Sequence, residues 1–109
     1  MPPTTPFDRA SVPRELRPFL DEQGRVMRWP ARQKVQRMAI DYLARKFEHG
    51  RDYSEKDVNF LLMDWHGFSD WAMLRRLLFN WGYVDRESDG SRYRLRPESE
   101  WPRPEPPAP

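Results

Sequence analysis

The chain has 109 residues and no cysteine. Disulfides and thiolate zinc sites are therefore excluded, and a cytoplasmic location is the simple reading. No apolar run approaches the roughly 20 residues needed to span a bilayer. The opening MPPTTPFDRAS has neither the basic start nor the apolar stretch of a secretory signal. Histidine is scarce: only His49 and His66 occur. His66 neighbours Asp64, but no further pair stands at ligand spacing, so no metal is expected. The sequence also lacks a nucleophile elbow, a phosphate loop and a dinucleotide fingerprint. Neither a cofactor, nor a small-molecule substrate, nor an enzymatic activity is expected.

What the chain does have is proline, arginine and aromatic side chains. Many of its 12 prolines sit at the ends: Pro2, Pro3 and Pro6, then Pro102, Pro104, Pro106, Pro107 and Pro109. Such stretches bury little apolar surface and favour solvated, extended conformations. Residues 1–18 are read as a flexible tail, 97–109 as a disordered, Pro-rich acidic tail, and 19–96 as one domain. Formal net charge is only +2, but it is unevenly spread. Residues 25–96 hold 15 Lys and Arg against 10 Asp and Glu, whereas both flanks are acidic. A basic domain attracts phosphate polyanions, although this excess is modest.

Hydrophobic spacing gives the elements. Phe19-Leu20 and Val26-Met27 flank a turn at Gly24, a short hairpin or loop. Pro30 or Ala31 opens a first helix that runs to about Phe47, with Val35, Met38, Ala39, Tyr42, Leu43 and Phe47 as its apolar stripe. Arg51–Tyr53 is extended. Ser54 opens a second helix, with Asp57 at capping-box spacing. Val58, Leu61, Leu62 and Trp65 recur at i, i+3, i+4, i+7. His66-Gly67-Phe68 turns the chain, and Ser69 or Asp70 caps a third helix over 69–81. Leu74, Leu77, Leu78 and Trp81 repeat the same spacing. A hairpin over 84–96 follows, turning at Asp89-Gly90. Tyr93 and Leu95 face one side and Arg92, Arg94 and Arg96 the other. The predicted fold class is mainly α with a small β-sheet: a winged helix-turn-helix of three helices plus a C-terminal wing, with Arg51–Tyr53 as third strand.

The run Tyr53-Ser54-Glu55-Lys56-Asp57-Val58-Asn59, then Asp70, Leu74-Arg75-Arg76, and Arg86, Asp89-Gly90 and Tyr93, resembles domain-of-unknown-function family 2087. These are small bacterial domains found alone or attached to helix-turn-helix transcriptional regulators. The likeness covers about residues 53–93, with Phe19–Pro30 resembling the family's start. It implies a fold and a regulatory context, and carries no established activity.

Two functional readings stand side by side. In the first, the third helix enters the major groove of double-stranded DNA. Ala72, Arg76 and Phe79 point outward, with Arg75 and Asn80 on the shoulders. Arg75 and Arg76 reach bases or phosphates, Arg92 and Arg94 of the wing hold the backbone, and Arg32 and Lys34 of the first helix add charge. A specific site would need a homodimer, because one module buries limited surface. In the second, the module binds a protein partner through Phe79, Trp71 and Trp101. Asp70 at the start of the helix and an outward Phe79 argue against the groove. Arg75 and Arg76 have a structural alternative as well, in ion pairs with Glu55, Asp57 or Asp70. Asn59 is expected to make a local bond, near the turn at Gly67.

Overall fold

The computed structural model describes residues 7–102. The outermost parts of both expected tails, 1–6 and 103–109, lie outside the described residues. Element order is α1 (Gln33–Ala44), β1 (Asp52–Tyr53), α2 (Glu55–Trp65), α3 (Trp71–Asn80), β2 (Val84–Arg86) and β3 (Tyr93–Leu95), with single 3-10 turns at Arg9–Ser11, Arg17–Phe19 and Glu98–Glu100. The sheet is antiparallel in the order β1-β3-β2, with Tyr53 opposite Tyr93 and Val84 opposite Leu95. Three helices and a three-stranded sheet in this order make a winged helix-turn-helix.

The helix ends follow from local chemistry. Ser54 Oγ accepts from Asp57 N–H at 3.0 Å, and Asp57 Oδ2 accepts from Ser54 N–H at 3.1 Å, so the reciprocal capping box is complete. Asp70 caps α3 by accepting from Met73 N–H. α3 ends where Gly82 takes φ +88°, letting Tyr83 N–H reach back to the Leu78 carbonyl at 2.9 Å. α1 is shorter than its apolar stripe. It begins at Gln33 after an extended Arg32, with the Gln36 side chain donating to the Pro30 carbonyl. After Ala44 the chain tightens into i to i−3 bonds, Lys46 to Leu43 and Phe47 to Ala44.

The core forms one cluster, centred on α1 and reaching Val58 and Leu62 of α2, Leu74 and Leu78 of α3, and Tyr53, Val84, Tyr93 and Leu95 of the sheet. Ile40 and Ala44 are fully buried although they fall outside the expected stripe of α1. The reason is that α1 is wrapped by both flanks of the chain. Phe7 meets Tyr42 edge-on, and the Tyr42 hydroxyl donates to the Gly24 carbonyl at 2.5 Å. Val12, Leu16 and Leu20 are buried before α1 begins.

That corrects the flexible-tail reading of residues 1–18 over their described part, 7–18. Arg17 holds this strap, its guanidinium donating to the Val12 carbonyl at 3.1 Å, and Arg9 donates to the Arg17 carbonyl at 2.8 Å. The disordered-tail reading of 97–109 is corrected likewise over 97–102. Trp101 folds back, its indole N–H donating to the Arg96 carbonyl at 2.8 Å and its ring meeting Tyr83 edge-on.

Leu20 and Val26 pair as a minimal hairpin around Gly24. Val26 pairs a second time, in parallel with His66, through Val26 N–H to the Trp65 carbonyl and Gly67 N–H to the Val26 carbonyl, both 2.9 Å. The hairpin thus braces the turn between α2 and α3. No described helix is long and apolar enough to cross a membrane.

Candidate nucleic-acid interface

α3 is positioned by Leu74 and Leu78, which are fully buried against α1 and α2. Residues opposite that pair face solvent: Ala72, Arg76 and Asn80 are exposed. Phe79 is not outward as expected. It is half-buried, with the Arg86 guanidinium 4.1 Å above its ring. Arg75 is turned in as well, because α2 offers it two acceptors one helical turn apart. It donates to Asn59 Oδ1 and pairs with Glu55 at 3.2 Å. This is the structural alternative for Arg75, realised with Glu55. Asn59 serves Arg75 rather than the Gly67 turn, since a residue at i+4 from Glu55 lies on the side of α2 that faces α3.

Arg76 has no ion pair or hydrogen bond among the described residues. Its neighbours on the outward face are small or polar, so nothing hinders close approach. Arg and Asn are also the side chains that match the acceptor and donor edges of bases in the major groove.

The turn before α3 is tied to the helices on both sides of it. His66 is buried, with Nδ1 bonded to the Leu62 carbonyl and Nε2 accepting from Asp70 N–H at 3.0 Å. A carbonyl accepts and an amide N–H donates, so the imidazole is neutral with its proton on Nδ1. Phe68 packs edge-on against the ring at 4.6 Å. This role for His66 was hidden in the sequence, where a lone histidine in a turn gives no sign of burial.

The wing arginines project from the face of the sheet away from the core, as their alternation predicts. Both are engaged there. Arg94 pairs with Asp52 at 2.8 Å and Arg92 with the same carboxylate at 3.8 Å. Arg96 lies 2.8 Å from Glu100 and 3.7 Å from Asp85. Such exposed pairs contribute only about 0–1 kcal/mol each, so a phosphate can displace the carboxylate. Arg75, four-fifths buried and held from two sides, is not available in this way.

The first-helix cations stand apart from this face. Lys34 pairs with Glu15 at 2.9 Å, and that hydrogen bond and charge hold the Glu15 carboxyl below its usual range. Arg32 lines a groove with Glu15, Phe19, Pro30 and Val35, none of which belongs to α3 or the wing. Of the second reading's residues, Trp101 is buried, while Trp71 and Phe79 pack partly against the core.

Residues 25–95 match the family described as "uncharacterized protein conserved in bacteria" (DUF2087). The chain belongs to this family. Comparisons with curated proteins and with solved structures found no match. In the DUF2087 fold seen here, the residues that carry the likeness are mostly accounted for by structure. Ser54, Asp57 and Asp70 are caps, Glu55, Asn59 and Arg75 form a clamp between α2 and α3, Arg86 covers Phe79, and Tyr93 is core. Arg76 is the member of that set on α3 that makes no ion pair or hydrogen bond among the described residues.

Proposed function

We propose that this DUF2087 domain is a DNA-binding or transcription-associated regulatory module. α3 lies in the major groove, Arg76 reads or positions it with Asn80 beside it, and Arg92 and Arg94 of the wing take up phosphates. The observation that supports this most is the exposed Ala72–Arg76–Asn80 stripe, whose arginine is uncommitted while its neighbour Arg75 is locked. The hydrogen-bonded turn around His66 favours the same reading, since a helix that enters a groove must hold its angle. Asp70 does not stand against it, because its carboxylate is occupied as the cap of α3. On this reading the protein is a binding module rather than an enzyme, and works in the cytoplasm.

The test is a titration with duplex DNA at two salt concentrations. Affinity falls steeply as salt rises, because each phosphate contact releases counterions. Arg76→Ala weakens binding without unfolding the domain, and Arg92→Ala lowers the salt slope. Absence of binding at low salt would falsify the reading.

A further inference from the structure

α2 carries two apolar faces. Val58 and Leu62 point into the core; Phe60 and Met63 point out of it, with 54% and 45% of their surface exposed. Both outward residues are offset from the core stripe by about half a helical turn. Met27 is exposed as well, with 38% of its surface open, and lies against Gly67 just beyond the end of the helix. The patch is flanked by opposite charges at equal spacing. Lys56 stands one turn before Phe60 and Asp64 one turn after it. Neither has an ion pair among the described residues; Lys56 only approaches the Phe60 ring, at 5.9 Å. Asp57, by contrast, is committed to the capping box.

We propose that this face is a homodimer interface, in which α2 packs antiparallel against α2 of a second copy about a two-fold axis at Phe60. A two-fold contact requires a surface that complements itself. Around Phe60 this one does. The rotation sets Lys56 against Asp64 of the second copy, and Asp64 against its Lys56, while Phe60 stacks on Phe60 with Met63 alongside. A sulfur at the edge of an aromatic ring and offset rings both favour such contact. The charge order (cation, apolar pair, anion) selects a second copy over an unrelated partner, which has no need of that symmetry. None of these residues lies in α3 or the wing, so the inference stands independently of DNA binding.

Sedimentation of the full chain over a range of concentrations tests it. The mass is expected to move from 13.2 kDa towards twice that value. Lys56→Glu and Asp64→Lys each place like charges together twice per dimer and weaken association by roughly tenfold or more. The doubly exchanged chain regains the dimer, and an equimolar mixture of the two single variants associates although neither does so alone. Misfolding is not the cause of dissociation, because a glutamate near the start of a helix and a lysine near its end both suit the helix dipole; circular dichroism checks this. A wild-type chain that stays monomeric at every concentration overturns the proposal. So does a dimer that survives Phe60→Ser and each single charge change undiminished, or a double exchange that fails to restore association.

Discussion

Arg75 and Arg76 are neighbours whose side chains meet opposite surroundings. One helical step separates a position that faces α2 from one that faces water, and this decides what each guanidinium can do. Arg75→Ala leaves Asn59 without its partner and Glu55 without its counter-charge. It is expected to lower unfolding free energy by about 1–3 kcal/mol in urea titrations. Arg76→Ala is expected to change stability by no more than about 0.5 kcal/mol. Equal losses from the two would refute the division of labour. The sequence shows both arginines on the third helix but not which is clamped. That depends on Glu55 and Asn59 lying across the crossing between α2 and α3, a tertiary relation no local spacing reports.

Tyr42 gives a second prediction at this scale. Burial, and then the nearby Asp21 carboxylate, push its hydroxyl up to about 12. An unfolded tyrosine ionises near 10. The folded state therefore prefers the protonated phenol, and this preference is fully present below about pH 10. It is lost as pH rises towards about 12. Tyr83, raised by burial and by Asp41, acts in the same direction. Alkaline unfolding followed by tyrosinate absorbance is expected to begin in that window, with a shallower pH dependence in Tyr42→Phe.

At the scale of elements, the helix-turn-helix is held by its turn. His66 ties the last turn of α2 to the N-cap amide of α3, while the Leu20–Val26 hairpin pairs with the same stretch. His66→Ala removes both ring hydrogen bonds and leaves the Asp70 amide unsatisfied. A cost of about 2–3 kcal/mol is expected in thermal or urea unfolding. His66→Gln, which also offers both a donor and an acceptor, is expected to recover part of it. The helices themselves were legible, because their signals are local. Ser54 and Asp57 announce one start, Asp70 another, and repeated i, i+3, i+4, i+7 spacing marks two core faces. Phe60 and Met63 were legible too, in principle, as apolar residues out of step with the stripe beside them. Phe79 is half-buried and not outward because the wing's Arg86 lies over its ring, a contact made only once β2 is in place.

At the scale of the whole molecule, the proline content of the ends suggested segments without a core role. Composition measures an average, and a few apolar side chains suffice to overrule it. Leu16 and Trp101 join the core cluster from outside the spaced stripes of the helices, so no local pattern announced them. Charge is likewise balanced at a distance: Asp52 of β1 neutralises the wing of β3, and Glu98 bonds Arg45, just past the end of α1, at 2.7 Å. DNA affinity is accordingly expected to respond to Asp52→Asn. Freed of that carboxylate, Arg92 and Arg94 bind duplex more tightly, by a few-fold in a low-salt titration.

The strap before α1 and the Trp101 fold-back also bear on where a minimal fragment can be cut. Similarity to the family spans 25–95, yet the buried core is wider. A chain trimmed to those limits loses Val12, Leu16, Leu20 and Trp101 together. Each large buried side chain contributes about 2–5 kcal/mol, against a total of roughly 5–15 for a small domain. The fragment is expected to retain helical circular dichroism, lose its sharp thermal transition and bind a hydrophobic dye. A sharp melt at the full chain's temperature would show that the outer segments are dispensable. Homology here delimits an inherited pattern of residues, while the packed core takes in sequence on either side of it.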